Sequence, residues 1–173
     1  MAHNRNMIKI LLTIIAILAI GVFSVKTFVS KDAPTDQTEN KTSTTVSYGK
    51  SLDLSGQNLE KVSGDVFKKT DLESLDLSNN NLTGAIPAEI RFLKNLRVLD
   101  LSNNNMTGLP AELGQLDKLE MLDVSNNMLT GLPLELGNLA QLKTLNLSGN
   151  DYSEHDLGLI RQKLPNTNII TGK

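Results

Sequence analysis

The chain of 173 residues has no cysteine, no tryptophan and two histidines, and aromatic residues make up 3 % of it. Without cysteine there is no disulfide, no thiolate for a metal, no thiol nucleophile and no cysteine for lipid attachment. The histidines are His3 and His155. A Ser/His/Asp constellation would have to use His155, which sits between Glu154 and Asp156 in a segment that reads as a charged helix face. No enzymatic activity, no cofactor and no metal site are therefore expected. The formal charge of −2 at pH 7 gives no basis for binding nucleic acid.

What the chain does have is repetition. LESLDLSNNNLTG begins at Leu72, LRVLDLSNNNMTG at Leu96, LEMLDVSNNMLTG at Leu119 and LKTLNLSGN at Leu142, with a degenerate copy, SLDLSGQNL, at Ser51. Leu52, Leu75, Leu99, Leu122 and Leu145 recur at steps of 23, 24, 23 and 23 residues. Within each unit, Leu-Asp-Leu alternates apolar and polar, the period of a short strand with leucine on one side and aspartate on the other. One such strand cannot bury its leucines alone. Stacking the units makes a parallel sheet over a shared leucine core, with strands ~4.8 Å apart. Asn80, Asn104, Asn127 and Asn150 share a position just after the strand. An amide there can satisfy backbone groups that the turn leaves in the interior. Gly84, Gly108 and Gly131 suit a tight bend, and Pro87, Pro110 and Pro133 restrict the return path. Ile90/Leu93, Leu113/Leu116 and Leu136/Leu139 have the spacing of short helical turns closing the back.

From Ser51 to about Asn150 this pattern resembles the leucine-rich repeat family. LTGAIP at Leu82–Pro87 is similar to the plant type, and the two following TGLP units to shorter bacterial and intracellular forms. The resemblance implies an α/β solenoid: a curved parallel sheet on the concave side and short helical or 3-10 turns on the convex side. It also implies recognition of a protein or peptide by side chains that point out of that sheet.

The flanks differ from the repeats. Leu157, Ile160 and Leu164 form one face of a short helix that ends at Pro165, and Ile169 or Ile170 belongs to a last partial strand. Residues 153–173 are thus expected to cap the repeats of 50–152. At the other end, Arg5 and Lys9 precede an apolar run from Ile10 to Val25, broken by Thr13, Gly21 and Ser24. At 1.5 Å per residue this helix is about 24 Å long, and Ile8 with Phe28 and Val29 extends it toward a bilayer's ~30 Å. Ala19-Ile20-Gly21 is a small-x-small motif of the kind a signal peptidase cuts, yet the run continues past it through Val22, Phe23 and Val25. The expectation is a signal-anchor over 1–30 with its N-terminus cytoplasmic. Met1 to about Lys9 would then be the only cytoplasmic part. A Thr/Ser-rich stalk would follow over 31–49. The alternative is a cleaved signal peptide and a secreted structural protein that binds envelope polysaccharide or self-associates.

The expected binding residues lie on the concave face. The strand centres give Asp53, Asp76, Asp100, Asp123 and Asn146, an acidic column that could attract a cation or could be family consensus. Two positions earlier, the residue varies between units: Ser51, Ser74, Val98, Met121 and Thr144. Val98 and Met121 should expose two apolar side chains within a polar rim, where interface energy concentrates. The ligand-binding set is therefore Asp76, Val98, Asp100, Met121, Asp123, Thr144 and Asn146. Lys50, Glu73, Arg97, Glu120 and Lys143 alternate in sign and are expected to pair across neighbouring strands.

Overall fold

Every segment reading x-Leu-Asp or its equivalent is a three-residue strand in the computed structural model, which describes residues 49–172. The strands are β1 (Ser51–Asp53), β2 (Ser74–Asp76), β4 (Val98–Asp100), β6 (Met121–Asp123), β7 (Thr144–Asn146) and β8 (Asn168–Ile170). They form one parallel sheet in the order β1-β2-β4-β6-β7-β8. Register follows the repeat: Leu52, Leu75, Leu99, Leu122, Leu145 and Ile169 are direct neighbours along the sheet. Leu75, Leu99, Leu122 and Leu145 are fully buried, as are Leu77, Leu101, Val124 and Leu147. Each such leucine contributes roughly 1.5–3 kcal/mol relative to an exposed one.

The return path is built from 3-10 turns. Pro87, Pro110 and Pro133, all with extended ψ, precede Ala88–Phe92, Ala111–Gln115 and Leu134–Asn138. Proline fixes φ for the entry and donates no N–H. The turns bury Ile90, Leu93, Leu113, Leu116, Leu136 and Leu139 completely. A second, two-stranded sheet pairs β3 (Thr83–Gly84) with β5 (Asn105–Met106). It was not evident from the sequence, because two-residue strands leave no periodicity.

The bend after each strand is a correction. Gly84 is left-handed with φ of 69°, whereas Gly108 and Gly131 are not among the positive-φ residues. The chain turns earlier, at Gly56, Asn79, Asn103, Asn126 and Gly149, whose φ values lie between 53° and 70°. Only glycine and asparagine enter this region readily, which explains why the unit alternates between them at that position.

At the C-terminal end, helix α1 (Glu154–Lys163) starts at Ser153, whose hydroxyl accepts from the Asp156 N–H at 3.3 Å. Leu157, Ile160 and Leu164 are buried, and α1 packs on the Leu134–Asn138 turn. The expected anchor and most of the stalk, residues 1–48, lie outside the described residues. Among the described residues no helix is long and apolar enough to cross a membrane.

Candidate functional site: the concave face of the sheet

The inward leucines leave two rows of side chains on the opposite face. Register places Ser51, Ser74, Val98, Met121, Thr144 and Asn168 in one row and Asp53, Asp76, Asp100, Asp123, Asn146 and Ile170 in the other. All seven residues of the sequence-derived set therefore share one surface.

They do not share one environment. Met121 is 37 % exposed, but Val98 is only 8 % exposed and stands outside the leucine core. The expectation of two exposed apolar residues is corrected to one. Val98 is a short, branched side chain in a central strand, flanked in register by Ser74 and by the longer Met121. The sequence could not show this shading. Ile170 was not in the set; register puts it at the end of the aspartate row, 41 % exposed.

The aspartates have a structural task. Oδ1 of Asp53, Asp76, Asp100 and Asp123 accepts the N–H of the serine two residues on, at 2.8–2.9 Å. Asn146 does the same for Ser148 at 3.2 Å and donates its amide to Asp123 Oδ2 at 2.8 Å. These bonds hold the chain as it leaves the strand. The hydroxyl and N–H of Ser55 keep the exposed Asp53 carboxyl below its ordinary range. Asp100 shifts the other way. Burial raises it most, the Ser102 bonds oppose this, and its neighbours Asp123 and Asp76 raise it further.

The flanking charges pair largely as their alternation suggests. Arg97 donates two hydrogen bonds to Glu120 Oε1, at 2.7 and 2.5 Å, and lies 4.0 Å from Glu73. Lys143 Nζ reaches Glu120 Oε2 at 2.6 Å. Its hydrogen bond from Lys143, then that from Arg97, lowers the Glu120 pKa. Lys50 departs from the pattern. It pairs with Asp71, and Glu73 instead accepts the Gly49 N–H at 3.1 Å.

Beside the sheet the asparagine ladder is complete. Asn80, Asn104, Asn127 and Asn150 are each less than 10 % exposed. Every one donates to carbonyls of its own unit and of the preceding one, and its Oδ1 accepts a backbone N–H from the preceding unit. No buried side-chain polar atom lacks a partner among the described residues. An apolar hollow of about 190 Å³ lies away from this face, lined by Val62, Leu82, Ile86 and Pro87 with Glu60 and Lys61. Among the described residues no cluster of His, Asp and Glu is placed to hold a metal ion.

The leucine-rich repeat region family matches residues 49–162. The chain belongs to the leucine-rich repeat family. Among solved structures, a leucine-rich repeat protein of Leptospira interrogans is 43 % identical with a TM-score of 0.60, over 63 % of this chain and 28 % of its own. A plant peptide hormone receptor, RGFR1, solved in complex with RGF2, is 34 % identical with a TM-score of 0.56, over 70 % of this chain and 20 % of its own. The ectodomain of the receptor kinase SOBIR1 from Arabidopsis thaliana is 30 % identical with a TM-score of 0.54, over 70 % of this chain and 73 % of its own. This leucine-rich repeat chain thus spans about a quarter of the length of the Leptospira protein. No curated protein matches it significantly.

Proposed function

We propose that this leucine-rich repeat chain is a membrane-tethered, extracytoplasmic interaction module that binds a protein or peptide on its concave face. The observation that carries the reading is the unpartnered outer face of the six-stranded sheet, with Met121 exposed between the buried Val98 and the polar Thr144. An exposed apolar side chain inside a polar rim is the usual make-up of an interface centre. The similar receptor RGFR1 was solved with RGF2, which supports a peptide-sized or protein ligand. The tether and the location rest on the apolar run from Ile10 to Val25 and its preceding Arg5 and Lys9.

The test of binding is capture of partners by the chain, its Met121→Lys variant and a convex control, Gln115→Lys. Both altered residues are exposed, so both variants should fold. Met121→Lys should lower affinity for the captured partner at least tenfold, since a charge must be desolvated at the contact. Gln115→Lys should leave it unchanged. The reverse pattern places binding on the convex side. Protease treatment of intact cells checks the location: the repeats should be digested, and full protection overturns it.

A further inference from the structure

The concave face is not uniform from end to end, and the difference specifies its ligand. Over β1, β2 and β4 it presents Asp53, Asp76 and Asp100; over β6 to β8 the row continues with Asp123, whose Oδ2 accepts the Asn146 amide, and the exposed side chains are Met121 and Ile170. The adjoining row brings no cation to these aspartates. Arg97 and Lys143 engage Glu120, and Lys50 engages Asp71. No ion pair among the described residues includes Asp53, Asp76 or Asp100, and the donors they bond are neutral serine groups. One half of the face is therefore an uncompensated negative surface, and the other carries the exposed Met121 and Ile170 among Asp123, Thr144, Asn146 and Asn168.

We infer that the face takes an extended peptide segment lying across the strands, with a lysine or arginine over β2 and β4 and an apolar side chain over β6 to β8. This deepens the concave-binding reading and rests on it. The dimensions set the spacing. Six strands at ~4.8 Å make a face about 24 Å wide, which an extended chain at ~3.3 Å per residue crosses in about seven residues. β2 and β6 are two strand spacings apart, about 10 Å, and an extended chain turns alternate side chains to one face, so cation and apolar residue stand about two or four positions from one another. A cation placed among carboxylates that repel each other gains from all of them, and the attraction weakens with salt.

The experiment selects random heptapeptides displayed on phage against the immobilised 173-residue chain. Selected peptides are then synthesised and titrated against the chain, Asp76→Asn/Asp100→Asn and Met121→Lys. Asparagine keeps the oxygen that the serine N–H needs, as Asn146 does naturally, so the double variant retains the fold. Enriched peptides should carry Lys or Arg two or four positions from an apolar residue. Their affinity should fall at least tenfold on the double asparagine variant and several-fold between low and physiological salt. Enrichment of acidic or uncharged peptides, or no enrichment, overturns the inference. If Met121→Lys abolishes binding and the asparagine pair does not, concave binding stands and the cationic ligand falls. If neither substitution matters, the concave reading falls as well.

Discussion

The carboxamide of Asn104 donates to the carbonyl of Leu77, 3.0 Å away in the preceding unit, while its Oδ1 accepts the Leu82 N–H of that unit at 3.0 Å. The same side chain donates to Leu101 and Ser102 of its own unit. One residue thus joins two turns whose backbone groups have no water to turn to. Asn104→Ala orphans several of these groups at roughly 1–3 kcal/mol each. Asn103 is exposed and its φ is 55°. Alanine there meets the left-handed penalty of about 1–2 kcal/mol and loses an exposed hydrogen bond from Asn126, whose amide water can serve instead. Urea denaturation should rank Asn104→Ala well below Asn103→Ala, with Asn103→Gly near wild type, as Gly56 and Gly149 already occupy that position. Equal midpoints for the two alanine variants would contradict the ladder's weight.

Two glycines should respond oppositely to alanine. A Cβ on Gly114 would stand 2.3 Å from the Glu135 carbonyl oxygen, backbone that cannot rotate away, while one on Gly108 meets nothing within 4 Å. Gly114→Ala forces the Ala111–Gln115 and Leu134–Asn138 turns apart and should cost about 1–3 kcal/mol. Gly108→Ala, without a left-handed φ to lose, should be neutral or stabilise by about 0.4–1 kcal/mol. Thermal melting of both variants decides, and a destabilised Gly108→Ala would contradict the backbone described at the bend.

Asp100 gives a prediction with a pH dependence. Its folded pKa is raised by burial and by Asp123 and Asp76, so the folded chain holds the Asp100 proton more tightly than the unfolded chain does. Stability linked to this group is full at acid pH and lost as pH rises through its raised folded value. Asp100→Asn removes the ionised form and should raise the urea midpoint at neutral pH. The gain should fade as pH falls through the carboxylate range, where wild type is protonated too. A gain that grows toward acid would reverse the assigned direction.

Removing residues from Ser153 onward takes away α1 and β8. Leu145 and Leu147, now fully buried, would lose β8, and the Leu134–Asn138 turn would lose its cover. An open parallel edge over apolar side chains associates with other chains. The shortened chain should elute as aggregate in size-exclusion chromatography. A soluble monomer would show that the repeats do not need this segment.

The sequence by itself determined the repeat length, the strand register, the inward leucines, the ladder asparagines and the family. Each is a local pattern copied at fixed spacing, and stacking copies gives neighbouring positions neighbouring places. It did not determine what depends on the space between copies. Val98 and Met121 read alike as apolar residues on the outer row, yet one is shaded by its flanking strands and the other stands free. Lys50 and Glu73 have complementary charges in adjacent units, but Asp71 takes the lysine. Asn103 and Gly149 look unrelated until a shared positive φ makes them equivalents. The exchange is still not symmetric, because a Cβ at Gly149 would lie 2.4 Å from Asn126 Oδ1. Exposure, pairing choice and backbone handedness are set by the volume and charge of neighbours brought close only by the stacked fold.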